Sequence, residues 1–346
     1  KQRKAAVLVA GSWGTALASV LADNGCRVTL WTRSEAQAQE INAERRNRRY
    51  LPDAVLSPAI RATSSMEEAL SGADAVVLAA PSAAMREVAR LAAPHLPPDA
   101  QMIHATKGFE RDSLKRMSRV IAEEIPAAAG RIVVLSGPSH AEEVILRNPT
   151  TIVVASESAQ AAAAAQDLFI NAYFRVYTNA DVTGVEVGGA LKNIIALGAG
   201  LSDGLGFGDN AKAALITRGL AEIARLGVRM GANPLTFLGL AGVGDLVVTC
   251  TSRHSRNWRA GAMLAQGLSA EEVQERMGMV VEGIRTTQAA YRIARQLDVK
   301  MPITAELHHV LFEGKPPKAA VEALMKRDRT HETEGIAGAS VRDWLD

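Results

Sequence analysis

The sequence has little cysteine, no long apolar run and almost no excess of charge of either sign. Its 346 residues include two cysteines, Cys26 and Cys250, which excludes a disulfide framework or a zinc-binding cysteine pattern and favours a reducing compartment. No run reaches the roughly 18 uninterrupted apolar residues of a membrane span. The net charge of +2 gives no indication of a polyanion-binding surface. These features predict a soluble, cytoplasmic protein without a nucleic-acid partner, a membrane span or a bound metal.

The chain is long enough for two domains, and its pattern changes near Asp181. Before this residue, short β-branched apolar runs alternate with helical patterns, which predicts a doubly wound, mostly parallel sheet. Ser34 is the predicted N-cap of one of these helices. After Asp181 only helical patterns follow, until periodicity weakens near Glu332. We therefore predict an α/β domain over residues 1–180 and an all-α domain over residues 181–346.

The turn between the first predicted strand and helix is similar to a dinucleotide-binding fingerprint with one position changed. In G-x-G-x-x-G, Gly11 and Gly14 occupy the second and third glycine positions, while Val9 occupies the first. Small residues are needed because the backbone turns sharply and brings its N–H groups to a pyrophosphate. A β-branched residue avoids positive φ, so a shifted or strained turn is expected. The turn alone leaves two interpretations open, a cofactor site or a plain strand–turn–helix.

Arg33 follows the second predicted strand, 19 residues after Gly14. At this spacing an acidic residue would hold a ribose 2′-OH. An arginine there can pair with a 2′-phosphate instead, which favours NADPH without excluding NADH. The alternative is a surface arginine that binds no ligand.

A single lysine, Lys192, interrupts the otherwise apolar helical stretch VEVGGALKNIIALGAGL. Burial disfavours its charged form unless an anion lies nearby, and such a lysine can exchange a proton with a carbonyl or alcohol. The alternative is a lysine that extends from the helix edge into solvent. The neighbouring Gly188, Gly189 and Asn193 indicate close packing and weaken that alternative.

Polar residues and glycines recur at strand ends and in loops, where open α/β sheets and helix N-termini bind ligands. Each could belong to an ordinary turn. Together with Lys192 they would surround a small phosphorylated carbonyl compound undergoing hydride transfer. These candidates are Lys107, Gly137, Ser139, Asp245, Ser255, Arg256, Asn257 and Glu282.

Longer stretches carry a far more selective resemblance over about residues 4–327. They include GSWGTALA, LSGPSHAEEV, GALKNIIALGAGLSDGLGFGDNAKAALITRGLAEIARLG, TFLGLAGVGDLVVTCTSRHSRN and MVVEGIRTT. They resemble the bacterial NAD(P)-dependent glycerol-3-phosphate dehydrogenases. The resemblance implies a Rossmann domain followed by a helical domain that often dimerises. It also implies reduction of dihydroxyacetone phosphate to sn-glycerol 3-phosphate by NADH or NADPH, for phospholipid synthesis.

The same resemblance implies residue roles. Lys192 would be the general acid/base, Asp245 would orient the site, and Lys107 would polarise the substrate. The implied substrate contacts are Lys107, Gly137, Ser139, Lys192, Asp245, Ser255, Arg256 and Asn257. The implied cofactor contacts are Gly11, Ser12, Trp13, Gly14, Arg33, Tyr50, Lys107, Ala141, Arg256, Val280 and Glu282.

Val9 departs from the family pattern, which has glycine at this position. We therefore expect weaker dinucleotide binding without loss of the fold. Two alternative functions are a related two-domain hydroxyacid dehydrogenase and a non-catalytic homologue that binds phosphometabolites. The stretches SRHSRN and GDLVVTC argue against the first, and only Val9 supports the second.

Overall fold

The computed structural model describes residues 2–330 and 332. The chain divides into two compact units, unit 1 over Lys1–Val182 and unit 2 over Thr183–Asp346. Within the described residues, no helix combines the length and the apolar character that crossing a membrane requires. Except for Glu332 itself, the weakly periodic tail from that residue onward lies outside the described part of the chain.

In the described part of unit 1, eight strands form one sheet in the order β3-β2-β1-β4-β5-β6-β7-β8. They are β1 (Lys4–Leu8), β2 (Arg27–Trp31), β3 (Ile60–Thr63), β4 (Ala75–Leu78), β5 (Gln101–His104), β6 (Val133–Ser136), β7 (Thr150–Ala155) and β8 (Phe174–Asn179). Strands β1 to β6 pair in parallel. Strand β7 runs antiparallel to β6 and parallel to β8. The prediction of a doubly wound, mostly parallel sheet is confirmed.

Helices cover both faces of this sheet, because successive residues of a strand point to opposite sides. Along β1, Val7 packs in one apolar cluster with Leu17, and Leu8 packs in the other with Met85. The helices are α1 (Ser12–Asp23), α2 (Glu35–Glu44), α3 (Met66–Leu70), α4 (Met85–Ala92), α5 (Met117–Glu124), α6 (Ala141–Ile145) and α7 (Ala159–Phe169). The Ser34 hydroxyl accepts a hydrogen bond from the Gln37 N–H, which confirms the predicted cap.

The strand order reverses direction between β1 and β4, which are neighbours in the sheet although β2 and β3 separate them in sequence. In open α/β sheets, ligands bind beyond the carboxyl ends of the strands at this reversal. The turn from Val9 to Gly11 leaves the carboxyl end of β1. The glycine-containing turn therefore occupies the ligand-binding edge of the sheet.

The described part of unit 2 is helical, as predicted. Its helices are α8 (Val182–Gly204), α9 (Asp209–Arg229), α10 (Asp245–Thr251), α11 (Arg256–Ala265), α12 (Ala270–Met277), α13 (Glu282–Gln296), α14 (Pro302–Phe312) and α15 (Pro317–Met325). Every residue of α8 from Ala190 to Gly200 is buried, so this helix forms the core of the unit. The segment between α9 and α10 contains a 3₁₀ turn (Pro234–Leu238) and a π-helical turn (Leu240–Gly244).

Candidate functional site

Val9 holds the turn between β1 and α1 in a left-handed conformation, with φ of 84°. Its N–H donates to the Trp31 carbonyl at 3.0 Å, which continues the pairing of β1 with β2. A Cβ at Gly14 would lie 2.2 Å from the Val9 carbonyl oxygen, so only glycine fits there. A β-branched residue at positive φ is strained by about 1–3 kcal/mol. The turn therefore keeps a tight backbone conformation, and Val9 carries the conformational strain.

The start of α1 presents the groups that a diphosphate requires. Gly11 is the N-cap, and no side chain caps this end of the helix. The buried Trp13 indole Nε1 has no hydrogen-bond partner within residues 2–330 and 332. The Ser12 hydroxyl donates to the Tyr50 carbonyl at 3.3 Å, which brings Tyr50 to the same turn. These residues fit a dinucleotide, since backbone N–H groups at a helix N-terminus favour phosphate.

Arg33 lies on the surface. Its Nη2 is 2.9 Å from Glu87 Oε2, and the two side chains are 53% and 59% exposed. An ion pair this exposed contributes little stability. A phosphate could therefore replace Glu87 as the partner of Arg33 at low cost, and both interpretations of this arginine stay open.

Two neighbouring strand ends bring Lys107, Gly137 and Ser139 together. The Lys107 Nζ donates to the Gly137 carbonyl at 3.1 Å. The Ser139 hydroxyl donates to the same carbonyl at 3.0 Å. Because β5 and β6 are parallel neighbours, their carboxyl ends meet at one edge of the sheet. Ala141 is buried as the first residue of α6.

Sequence reasoning missed an anchor for the segment that follows Lys107. Arg86 Nε and Nη2 donate to the two carboxylate oxygens of Glu110, at 2.6 and 2.8 Å. The Arg86 guanidinium holds the pKa of the Glu110 carboxyl below its usual range, although partial burial opposes this shift. This two-bonded pair connects the segment to α4. The sequence contains no spacing that would reveal it.

Lys192 and Asp245 form a buried ion pair in unit 2. Lys192 is 6% exposed and Asp245 is 1% exposed. The Lys192 Nζ donates to an Asp245 carboxylate oxygen and, at 2.8 Å, to the Thr249 hydroxyl. The Thr249 hydroxyl itself donates to the Asp245 carbonyl at 2.6 Å. The interpretation of Lys192 as a lysine that extends into solvent is therefore wrong, and Asp245 is the nearby anion.

The packing of α8 explains why this pair forms. A Cβ at Gly188 would lie 2.5 Å from the Ala241 carbonyl oxygen, so the missing side chain lets the π-helical turn approach α8 closely. Lys192 is four residues after Gly188, so the two residues share one face of α8. The chain kinks at Gly242, whose φ of -98° and ψ of -107° are not helical, and α10 then begins at Asp245. The close contact at Gly188 and this kink together bring Asp245 to the face of α8 that carries Lys192.

Asn257 joins three helices. Its Nδ2 donates to Asn193 Oδ1 at 2.9 Å, and its Oδ1 accepts from the Gly283 N–H at 2.8 Å. Both ends of the amide are thus engaged within unit 2, and they connect α11 to α8 and α13. Asn257 therefore holds the residues on either side of it, Arg256 among them, in place.

The N-terminus of α11 meets the segment before α13. Ser255 is buried, and its hydroxyl caps α11 by accepting from the Trp258 N–H at 3.1 Å. Arg256 Nη1 donates to the Val280 carbonyl at 3.3 Å. Glu282 is the first residue of α13. A guanidinium at a capped helix start, such as that of Arg256, is suited to phosphate.

The sequence does not predict the contacts of two residues here: it offers Thr249 only as one of several hydroxyls that would bind a phosphate, and Asn193 only as a sign of close packing. The spacing of Asp245 and Thr249 was available as a signal, since residues four apart on a predicted helix share one face. For Asn193 the signal is weaker, because only its adjacency to Lys192 in the sequence marks it. The geometry of unit 2 supplies a buried ammonium held by a carboxylate and a hydroxyl.

Comparison with known proteins finds the same family in both units. The family model described as NAD-dependent glycerol-3-phosphate dehydrogenase N-terminus matches residues 4–162, and the model of the C-terminus matches residues 181–322. Glycerol-3-phosphate dehydrogenase (NAD(P)+) of Bacillus subtilis (strain 168) is 59% identical over 335 residues, which cover 96% of this chain and 97% of that one. The Geobacillus thermodenitrificans protein of the same name is 61% identical over 331 residues, covering 95% and 96%.

A solved structure shows the same arrangement of elements. The crystal structure of glycerol-3-phosphate dehydrogenase from Coxiella burnetii superposes with a TM-score of 0.89 at 38% sequence identity. The match covers 94% of this chain and 99% of that one.

Proposed function

This chain belongs to the NAD-dependent glycerol-3-phosphate dehydrogenase family, and we propose that it reduces dihydroxyacetone phosphate to sn-glycerol 3-phosphate with Lys192 as the proton donor. The observation that carries the residue assignment is the buried contact of the Lys192 Nζ with Asp245 and Thr249. The alternative hydroxyacid dehydrogenase is not favoured, because both family models and the full-length relatives agree on glycerol-3-phosphate dehydrogenase.

Unit 1 carries the cofactor-binding features. The turn around Gly11 and Gly14, the start of α1 and Arg33 would hold NADH or NADPH, whose nicotinamide supplies the hydride when bound. The full proposed set is Gly11, Ser12, Trp13, Gly14, Arg33, Tyr50, Lys107, Ala141, Arg256, Val280 and Glu282. An NADPH preference would require the Arg33 guanidinium to exchange Glu87 for a 2′-phosphate.

Lys192 performs the proton transfer. As the substrate C2 carbonyl is reduced, its oxygen gains negative charge and takes a proton from the Lys192 ammonium. The product is the C2 alcohol, and the neutral amine recovers its proton from water. In the reverse direction the amine accepts the proton of that alcohol. Asp245 and Thr249 keep the Nζ in one position, so little reorganisation is needed when charge develops on the substrate.

The substrate phosphate suits Arg256 at the start of α11. Ser255 and Asn257 fix this helix end through the cap and the amide contacts, so the guanidinium is presented on a rigid support. We assign Lys107, Gly137 and Ser139 to substrate binding as well, and their mutual hydrogen bonds support a common site at the strand ends. Lys107 would polarise the carbonyl.

We also propose that the protein acts as a homodimer in the cytoplasm. The buried, free thiols of Cys26 and Cys250 suit a reducing compartment. Light scattering of the purified protein tests the dimer, with a mass near twice 36.7 kDa expected.

The experiment follows the oxidation of NADH and NADPH in the presence of dihydroxyacetone phosphate. Lys192→Met is expected to lower kcat by about 10²–10⁴-fold while it still binds the cofactor. Lys326→Met, an equivalent change at an exposed lysine, is the matched control and should behave like the wild type. Full activity of Lys192→Met would refute the proton-donor assignment. Substrate binding without turnover by the wild type would instead favour the non-catalytic homologue.

A further inference from the structure

Three side chains at the end of α14 form a cluster that the dehydrogenase reaction does not use. His308, His309 and Glu313 each offer a ligand atom, and these atoms lie within 4.8 Å of one another. Nothing in the sequence marked this group, because adjacent histidines followed by a glutamate four residues later match no common metal-ligand spacing. His309 and Glu313 are four residues apart, so their side chains meet at the C-terminal end of α14, which ends at Phe312.

The Glu313 carboxylate lies between the two imidazoles. Its Oε1 is 3.4 Å from His308 Nδ1, and its Oε2 is 3.9 Å from His309 Nε2. A tetrahedral zinc ion with bonds of about 2.1 Å separates its ligand atoms by about 3.4 Å. The first distance already matches this value, and a small rotation of the more exposed His309 would bring the second close to it.

His308 is held in place for such a role. Its ring stacks on Tyr291 of α13, with centroids 3.9 Å apart and planes inclined by 14°. The ring of Phe312 covers another side at 5.0 Å. The buried Nδ1 faces the Glu313 carboxylate at 3.4 Å but lacks the alignment of a hydrogen bond to it. An imidazole nitrogen oriented in this way, without a hydrogen bond, is the group that a metal ion would satisfy.

A carboxylate lies near the other nitrogen of His309, beyond hydrogen-bond distance in this structure. Its Nδ1 lies 3.8 Å from Glu306 Oε1, and Glu306 is in turn paired with Lys315. Metal-binding histidines commonly have a carboxylate on the nitrogen that does not bind the metal, which fixes the tautomer. The exposed side of the cluster is Glu313, whose side chain is 53% exposed, so an ion and a water ligand have access.

We propose that His308, His309 and Glu313 bind one divalent transition-metal ion, for which Zn²⁺ is the best match. Two imidazoles and one carboxylate select Zn²⁺, Co²⁺, Ni²⁺ or Cu²⁺ over Mg²⁺ and Ca²⁺, which prefer oxygen ligands. Water completes the coordination. Through His308 and Tyr291 the ion braces α14 against α13, so its effect is on stability. This inference does not depend on the proposed catalytic function.

The test uses the untagged full-length protein, freed of metal with a chelator and titrated with Zn²⁺ by calorimetry. The expected result is one Zn²⁺ per chain at micromolar affinity and a rise in Tm. Glu313→Gln and His309→Gln should each weaken binding at least about tenfold. His95→Gln changes an exposed histidine of unit 1 and should bind like the wild type. Bound Co²⁺ should show the visible absorption of a tetrahedral site.

Two results would overturn the proposal. One is a wild-type protein that takes up no Zn²⁺ in the titration, in which case the cluster is only a set of imidazole–carboxylate ion pairs. The other is equal Zn²⁺ affinity in the wild type and in Glu313→Gln, which would place the ion elsewhere. Circular dichroism confirms that each variant is folded. If Glu313→Gln does not fold, the Zn²⁺ affinity of His309→Gln provides the test. The His309 side chain is partly exposed and outside the core, so this variant is expected to fold.

Discussion

The turn at Val9 in unit 1 and the Lys192–Asp245 pair in unit 2 are built from different kinds of interaction. The turn depends on backbone conformation, because its ligand-binding groups are N–H groups at the start of α1. The pair depends on side-chain identity, because only an ammonium and a carboxylate supply the buried charges. A valine in the glycine position therefore changes the energy of the turn but leaves its geometry. Loss of either side chain of the pair would leave the other charge buried without its partner.

Breaking the pair should have the largest effect on stability. In Lys192→Met the Asp245 carboxylate stays buried without its cation, so the free energy of unfolding should fall by about 3–5 kcal/mol. The double variant Lys192→Met/Asp245→Asn removes both charges and should recover much of that loss. Urea denaturation of the two single variants, the double variant and the wild type measures the coupling. Strictly additive losses would show that the two side chains do not interact.

The buried carboxylate of Glu222 offers a second comparison, because hydrogen bonds and an attraction to Arg225 take the place of a lysine there. Its oxygens accept from the Ile303 and Thr304 N–H groups, at 2.5 and 3.2 Å, and from the Thr304 hydroxyl at 3.1 Å. Burial nevertheless dominates these hydrogen bonds and raises the pKa of Glu222 from 4.5 to about 7. The folded state therefore keeps a proton that the unfolded state releases between these two values.

The consequence is a loss of stability with rising pH. The contribution of Glu222 is fully present below pH of about 4.5 and is lost as the pH rises through about 7, amounting to about 3 kcal/mol. Glu222→Gln cannot titrate, so the wild type should lose stability relative to this variant across that window. Urea denaturation at several pH values measures the difference. A constant difference over the window would contradict the assigned pKa.

Gly188→Ala tests whether the Lys192–Asp245 pair also depends on a close backbone contact, here between α8 and the π-helical turn. The added methyl group would lie 2.5 Å from the Ala241 carbonyl oxygen, so α8 and the π-helical turn must separate. We expect destabilisation of about 1–3 kcal/mol and a fall in kcat, because Asp245 moves with that turn. Gly206→Ala serves as a control for the loss of glycine, since a Cβ there meets nothing within 4 Å. Its left-handed φ of 79° makes some loss of stability expected, but no loss of kcat.

Val9→Gly should have the smallest effect and act mainly through strain. Glycine adopts positive φ without a steric penalty, so we expect a gain of about 1 kcal/mol in stability and tighter NADH binding. Val9→Ala removes the branched methyl groups but keeps the penalty for a Cβ. Its stability and NADH affinity should therefore lie between those of the wild type and Val9→Gly. Fluorescence titration with NADH and thermal denaturation measure both effects. Unchanged cofactor affinity in Val9→Gly would refute the expectation that Val9 weakens dinucleotide binding.

Much of the fold could be predicted because apolar periodicity is local. The strands around Val7, Val77 and Val134 and the cap at Ser34 follow from a few consecutive residues. The edge strands β3 and β8 were missed, since each is short or alternates buried with exposed residues. Within the helical pattern that follows Asp181, the stretch PLTFLGL is the exception to an α-helix. It forms 3₁₀ turns because Pro234 and Gly239 interrupt regular hydrogen bonding.

The sequence by itself determined the strands and helices with strong apolar periodicity, the glycine-containing turn and the presence of one lysine in an apolar helix, because each of these depends on neighbouring residues. The tertiary structure alone decided the antiparallel direction of β7, the left-handed conformation of Val9 and the partner of Lys192. Asp245 is 53 residues from Lys192 in the chain, and only the close approach of a backbone turn to Gly188 brings them together. Contacts between distant segments depend on packing in three dimensions, which local residue patterns do not encode.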